Sequence, residues 1–346
     1  MRRIFTSLLV VVAFCTAIIA SRGTELKLRV YQSDGQEYER LLSGVDSIKF
    51  VNADENIEGV LTVASYKVSD ARRIYFSKGN LQFNAKEGMH QTADSTAKGT
   101  WRFAENQYDY VGSTNSNISE TYDGWIDLFG WGTSGWDSKA TCYQPWAISI
   151  TLSDYYPGES FSNDLTGNYA NADWGVYNAI SNGGNEPNKW RTLTTSEWKY
   201  LFKNNKWTLG YIKTSEKDSS LCYFLIPDGF TEPSGVKVTV ISTTLSLSKG
   251  FVSVSTSSYA GNSYTTEQFA SLEKLGVVAL PCGGSRRGSS MSYVGLDGRY
   301  WSSSADDLYN SDCAYIFDFN STSVYSNYSY GYGRSIGRSV RLVQDL

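Results

Sequence analysis

Hydrophobic and polar residues alternate over short stretches along most of this chain, and long helical periodicity is absent. Leu26, Leu28 and Val30 alternate with Lys27 and Arg29, the period-two pattern of a strand with one buried face. Asp34-Gly35 then offers turn chemistry, and further strands are expected at Gln36 to Leu42 and Ser47 to Val51. Asn52 to Gly59 is polar and acidic and reads as a connector. Beyond it, strands are expected at Ile74-Tyr75-Phe76, Leu81-Gln82-Phe83, Trp101-Arg102-Phe103 and Tyr223 to Ile226. Helical spacing occurs in three places. Asn171 can cap a helix running to Ile180. Thr194 and Glu197 form a capping box before Trp198, Leu201 and Phe202. Thr265 and Gln268 form a weaker box before an apolar face of Phe269, Leu272 and Leu275, with Gly276 as the stop. Asn115 to Ile118, Thr214 to Ser219 and Thr243 to Asn262 read as loops. The fold class expected is α+β, irregular, with short strands and few helices.

Residues 1–20 read as a secretory signal, with Arg2-Arg3, an apolar Leu8 to Phe14 run and a small residue at Ala20. The bulky Phe14 before Cys15 argues against lipid attachment there. An exported protein is therefore expected, at the cell-envelope surface or outside the cell, with no membrane span in the mature chain. Residues 21–60 form a small β unit, and 61–346 a single larger domain.

The last stretch, from Cys282 on, alternates two kinds of segment. Tyr300 to Ser303, Ala314 to Phe319 and Gly337 to Val343 look like framework. Ser285 to Arg299, Ala305 to Asp312 and Asn320 to Ile336 are built mostly of Ser, Tyr, Asn, Asp, Gly and Arg. That is the composition of a binding surface, because Tyr supplies wide amphipathic contact area at low entropy cost while Ser, Gly and Asn supply adaptable hydrogen bonds. A binding face near 285–338 follows, with Trp198, Trp301 and Leu342 expected in the core.

Composition narrows the chemistry. The chain carries 10 Trp, 25 Tyr and 15 Phe beside 19% charged residues, so aromatic packing holds it together. A net charge of -4 without a basic patch argues against nucleic acid. With His90 as its 1 histidine, His-based triads and His-rich metal sites fall away. Cys142, Cys222, Cys282 and Cys313 could pair in three ways or serve as small buried hydrophobes. Gly130 to Trp136 lacks the lysine and strand-to-helix setting of a phosphate loop, and its Trp residues read as packing anchors. Asp123, Asp127, Asp306 and Asp307 read as turn residues rather than as a cation site. Asn117, Asn320 and Asn327 begin formal glycosylation sequons. No cofactor is expected.

Several motifs resemble known families. Trp190 to Leu201, with Arg191-Thr192-Leu193-Thr194 before Glu197-Trp198-Lys199-Tyr200, is similar to the helix signature of the formylglycine-generating (sulfatase-modifying) family. So are Trp301-Ser302-Ser303 and Gly337-Arg338-Ser339-Val340-Arg341. Tyr75 to Phe83, the Gly124 to Trp136 stretch and the Ser-Val-Arg-Leu ending resemble the Fibrobacter succinogenes major paralogous domain. The resemblance covers roughly residues 66–346 and implies a variant of the C-type-lectin fold. The ending is also similar to the variable proteins of diversity-generating retroelements, which implies ligand contact, and variation between strains, at Arg286, Arg287, Ser289, Ser290, Asp297, Arg299, Asp306, Asp307, Tyr309, Asn310, Asp312, Ser326, Asn327, Tyr328, Tyr330, Tyr332, Ser335, Ile336 and Arg338. The ligand implied is a protein or a glycan. The paired-cysteine segment of the formylglycine-generating enzymes is not matched around Cys313, so a non-enzymatic role is expected. The alternatives are a structural envelope or fimbria-like component, and an enzyme of the sulfatase-modifying type. Glu186-Pro187-Asn188 resembles the sugar-binding tripeptide of calcium-dependent lectins, but the Trp-Asn-Asp that completes their calcium shell is missing. A turn is the simpler reading.

Overall fold

A computed structural model describes residues 27–31 and 37–41 as backbone, and residues 58–87, 99–241, 250–306, 312–325 and 332–346 in full. The expected signal segment, the strand expected at Ser47 to Val51, and His90 lie outside the described residues. The chain divides into two compact units, Met1–Glu55 and Asn56–Leu346. In the first, β1 (Lys27–Tyr31) and β2 (Glu37–Leu41) pair antiparallel, Lys27 opposite Leu41.

The second unit is α+β and rich in short strands. Its early strands are β3 (Tyr66–Lys67), β4 (Arg73–Phe76), β5 (Leu81–Asn84), β6 (Thr100–Phe103) and β7 (Arg191–Thr192). Then come β8 (Lys206–Lys213), β9 (Ser219–Ile226), β10 (Phe251–Ser253), β11 (Ser263–Thr265) and β12 (Val278–Pro281). The carboxyl end supplies β13 (Ser285–Arg287), β14 (Ser290–Ser292), β15 (Asp297–Ala305), β16 (Cys313–Asn320), β17 (Ser323–Tyr325), β18 (Tyr332–Gly333), β19 (Ile336–Gly337) and β20 (Leu342–Asp345). The helices are α1 (Trp174–Tyr177), α2 (Thr195–Asn204) and α3 (Thr266–Glu273). Sheets run in the orders β3-β4-β20-β7, β11-β8-β9-β12, β14-β13-β19 and β10-β17-β16-β15, with β18 also on β16 and a β5-β6 hairpin apart. β20 lies between β4 and β7, Val343 opposite Phe76 and Leu342 opposite Thr192. The chain end thus closes onto the start of this unit.

α2 forms as its capping box predicts. The Thr194 hydroxyl accepts the Glu197 N–H at 3.2 Å, and the Glu197 carboxylate accepts the Thr194 N–H at 2.8 Å. Glu197 also takes a bidentate pair of bonds from Arg191, 2.8 Å each, and Arg191 reaches Asp345 at 2.7 and 2.8 Å. Replacing Thr194 by Ala leaves an amide of the first turn without its acceptor. It should lower the unfolding free energy by about 1 kcal/mol, read as a shift in the urea midpoint at unchanged slope. α3 carries its weaker box too, with Gly276 in a left-handed conformation (φ 86°) past its end. Leu275, expected on its apolar face, is exposed, because the helix gives way to a turn at Lys274.

The structure corrects three local expectations. α1 is a single turn capped by Asp173, which accepts the Gly175 N–H, because Asn171 and Ala172 still belong to a preceding 3-10 turn. Asn115 sits in a 3-10 segment, Gly112–Asn117, closed by its own amide donating to the Gly112 C=O. Within the Thr243 to Asn262 region, Phe251–Ser253 forms β10 against β17, where the Phe251 and Tyr325 rings lie 4.5 Å apart.

Two large cores hold the unit. In one, Trp198, Leu201 and Phe202 of α2 pack on Tyr300, Phe317 and Phe319 of β15 and β16 and on Trp207, Leu209 and Tyr223 of β8 and β9. In the other, Phe83, Trp101, Phe129, Trp131, Trp174, Trp190 and Trp301 fill the loop-rich half. The Gly130 to Trp136 stretch supplies such an anchor, since Trp131 is buried and its Nε1 donates to the Ser302 C=O at 2.8 Å. Trp198, Trp301 and Leu342 are all buried.

Candidate recognition face

Strand register decides which side chains of the carboxyl end reach solvent. In the β14-β13-β19 sheet, Arg287 stands opposite both Ser290 and Ile336, while Arg286 stands opposite Met291 and Gly337. Opposed residues point to the same side and neighbours along a strand to opposite sides. Arg287 and Ser290 are therefore exposed and Ile336 is half-buried beside them, while Arg286 turns inward and is buried. The Arg286 guanidinium donates to the C=O groups of Gly288 at 2.5 Å, Leu128 at 3.2 Å and Ala147 at 3.3 Å. It thereby ties the β13–β14 turn to the Ala147–Ile150 segment. That segment adds Ile148 and Ile150, 52% and 56% exposed, next to Gly288. Ser335, buried, donates to the Ile150 C=O at 3.3 Å.

Beneath this rim, aromatic rings and guanidinium groups alternate. Arg299 lies 5.0 Å from the Tyr293 ring and 5.7 Å from the Tyr332 ring. Arg338 lies 4.3 Å from Tyr332 and 5.1 Å from Trp301. The order Tyr293, Arg299, Tyr332, Arg338, Trp301 runs from exposed to fully buried, each cation meeting the electron-rich faces of two rings. Asp297 binds Arg299 at 2.6 Å. Asp318 lies 3.6 Å from Arg299 and accepts the Tyr332 hydroxyl at 3.1 Å. Burial raises both carboxyls above their usual range, against the opposing pull of Arg299 and Arg338. Burial, with Arg299 nearby, pushes Arg338 down to about 9, and its Nε and Nη1 have no hydrogen-bond partner among the described residues. A shorter ladder repeats the motif: Arg334 lies between the Trp131 and Tyr156 rings, at 4.4 and 4.9 Å, with its Nε on the Cys313 C=O at 2.9 Å.

The residues singled out from sequence thus separate by depth. Arg287 and Ser290 are exposed. Arg299, Asp312, Tyr332 and Ile336 are intermediate. Arg286, Asp297, Asp306, Ser335 and Arg338 are buried and hold the face from below, Asp306 by accepting the Tyr315 hydroxyl at 3.1 Å. Asp312 accepts the Tyr156 hydroxyl. Asp307, Tyr309, Asn310, Asn327, Tyr328 and Tyr330 lie outside the described residues. Sequence reasoning missed Ile148, Ile150, Tyr293 and Leu296. The first two come from a distant segment. The other two lie inside the flagged Ser285 to Arg299 stretch, and a bulky residue beside Gly295 was the available signal.

Elsewhere, Glu186-Pro187-Asn188 is an exposed turn with Asn188 at φ 59° and Glu186 paired to Lys189 at 2.9 Å. Asp127 is buried and bonded to the Val111 N–H and the Asn115 amide, at 2.7 and 2.8 Å. All four cysteines from Cys142 on are free thiols, three of them buried. Burial pushes the Cys222, Cys282 and Cys313 thiols up, away from the thiolate form that reacts. Among the described residues no helix is long and apolar enough to cross a membrane, and no group of three or more His, Cys, Asp and Glu is placed to hold a metal. Comparison with protein-family models, with curated proteins and with solved structures finds no match to this chain.

Proposed function

We propose that this chain is an exported recognition protein, a C-type-lectin-like scaffold that offers its carboxyl-terminal face to a protein or glycan ligand. The observation that carries the reading is the division of the face by depth. Arg287, Ser290, Ile148 and Ile150 project from it, while Arg286 and Arg334, buried beneath, donate to backbone carbonyls and the buried Arg338 stacks on Tyr332 and Trp301. A backbone fixed in advance needs no further ordering on binding, which is what a contact surface needs. The raised thiols of Cys222, Cys282 and Cys313 support a role in binding over sulfatase-type oxidation chemistry.

The resemblance to retroelement-diversified proteins makes a further result expected. Sequencing this gene from independent isolates should show changes clustered at the exposed and half-exposed positions between 285 and 338. Arg286, Trp301, Arg334 and Arg338, which hold the base, should stay constant. Changes spread evenly over the unit's surface would remove the reading. A paired affinity capture comparing the protein with an Arg287→Glu/Ile150→Asp variant should lose a partner at unchanged thermal stability.

A further inference from the structure

One exposed aromatic residue of the face is held in a conformation its side chain disfavours. Tyr293 has φ 57° and is 54% exposed. A left-handed backbone is uncommon for a bulky residue, and such strain gathers where a site over-determines it. Here a tight turn imposes it. The Tyr293 C=O accepts the N–H groups of Leu296 at 3.0 Å and Asp297 at 3.1 Å, and the Gly295 N–H is pinned to the Cys282 C=O at 2.8 Å. The turn sets the ring beside Arg299 and lifts Leu296, 62% exposed, next to it.

This turn forms one wall of a cleft of about 330 Å³. Asp297 stands opposite Asn320 at the end of the β15–β16 pair, so the tight turn after β14 and the β16–β17 turn face each other there. Tyr211 lines the cleft from β8, and Thr322 lines it from the second turn. The lining therefore combines two phenol rings, two leucine side chains, a carboxylate, an amide and two hydroxyls. The charge of Asp297 is already met by Arg299 at 2.6 Å, which removes the attraction for a cationic ligand. The same pair leaves no net positive charge to draw an anionic one. What fits is a neutral molecule with one apolar face and several hydroxyls.

We infer that this cleft binds a pyranose unit of a neutral glycan, its C–H face on the Tyr293 ring and its hydroxyls on Asp297 and the Asn320–Thr322 turn. A sugar ring carries an apolar face that an aromatic π-system accepts, and an ion-paired carboxylate is a fixed acceptor for hydroxyl protons. The inference deepens the recognition reading by naming a ligand class for one edge of the face.

The test is saturation-transfer NMR on the purified protein, with methyl β-glucopyranoside, methyl α-mannopyranoside, methyl β-galactopyranoside and N-acetylglucosamine as separate millimolar probes. At least one should receive saturation at its ring C–H protons. Tyr293→Gly should abolish it, and glycine accepts the left-handed backbone without strain, so this variant keeps its fold. Tyr293→Phe should retain binding within about threefold, since the ring face is unchanged. Silence from all four probes overturns the assignment, as does binding that survives Tyr293→Gly. Silent probes together with partner loss in the Arg287→Glu/Ile150→Asp variant would sink the cleft and leave the recognition reading standing. Pyranoside binding with evenly spread natural variation would do the reverse.

Discussion

Replacing Trp198 by Ala should lower the unfolding free energy by about 3–5 kcal/mol, the largest single loss expected in this chain. The indole lies stacked on Phe317, 4.9 Å away at 7° between planes, and also meets Phe76 and Tyr300. It is 1% exposed and joins α2 to β16 and to β15, the strand that carries Arg299 and Trp301 of the ladder. Its Nε1 donates to the Trp301 C=O at 3.4 Å, so truncation also strips a carbonyl of its donor. Close-packed cores relax only partly into such a void, and the cost is the lost transfer energy plus that of the cavity. Trp198→Phe keeps a ring on Phe317 and should cost markedly less. Urea unfolding followed by circular dichroism measures both, and a loss below about 1 kcal/mol for the alanine variant would mean that α2 is not docked as described.

The second large effect is on pH. Burial pushes Asp127 and Asp173 up to about 6, outweighing the hydrogen bonds that favour their charged forms. The unfolded chain releases these protons near pH 4 (about 3.9 for a free Asp). Between about pH 4 and 6 the folded protein therefore holds more protons than the unfolded one. Stability must rise as pH falls through that window and decline as pH climbs back. Each carboxyl contributes at most about 1.4 kcal/mol per pH unit there. Asp345 acts in the opposite sense: hydrogen bonds from Arg191 hold it below the usual range, so its contribution is present above about pH 4 and is lost on further acidification. Maximum stability should fall near pH 4.5, about 2–4 kcal/mol above the value at pH 7. Urea midpoints across that range check it, and Asp127→Asn, which removes one of the carboxyls raised by burial, should make the slope shallower. A flat profile in the unsubstituted protein would show that water reaches both carboxylates.

Much of the local structure was legible because its causes are local. The capping boxes at Thr194 and Thr265 need only side chains three residues apart, and both form. The alternation at Ile74 to Phe76 and Trp101 to Phe103 needs only the two-residue period of a strand, and both become strands with one buried face. Where two local signals competed, the nearer one won: Asp173, with an acceptor for the Gly175 amide, displaced Asn171 as the cap of α1.

The proposed recognition face was only half legible. Composition singled out a polar stretch of chain, but composition does not order residues by depth. Arg286 and Arg287 are chemically identical neighbours. One is a buried clamp and the other an exposed side chain solely because β13 pairs with β14 and β19 in this register, and a slip of one residue would exchange them. The ladder from Tyr293 to Trp301 interleaves Tyr332 and Arg338, more than thirty positions along the chain.

The sequence by itself determined the α+β class, the two capping boxes, the aromatic core and the place of the polar segments, since each follows from neighbours in the chain. The tertiary structure alone decided which arginines are buried, which tyrosines they stack on, and that Tyr293 is held against its backbone preference. Those outcomes depend on long-range strand pairing and on the desolvation of charges that only the folded core imposes.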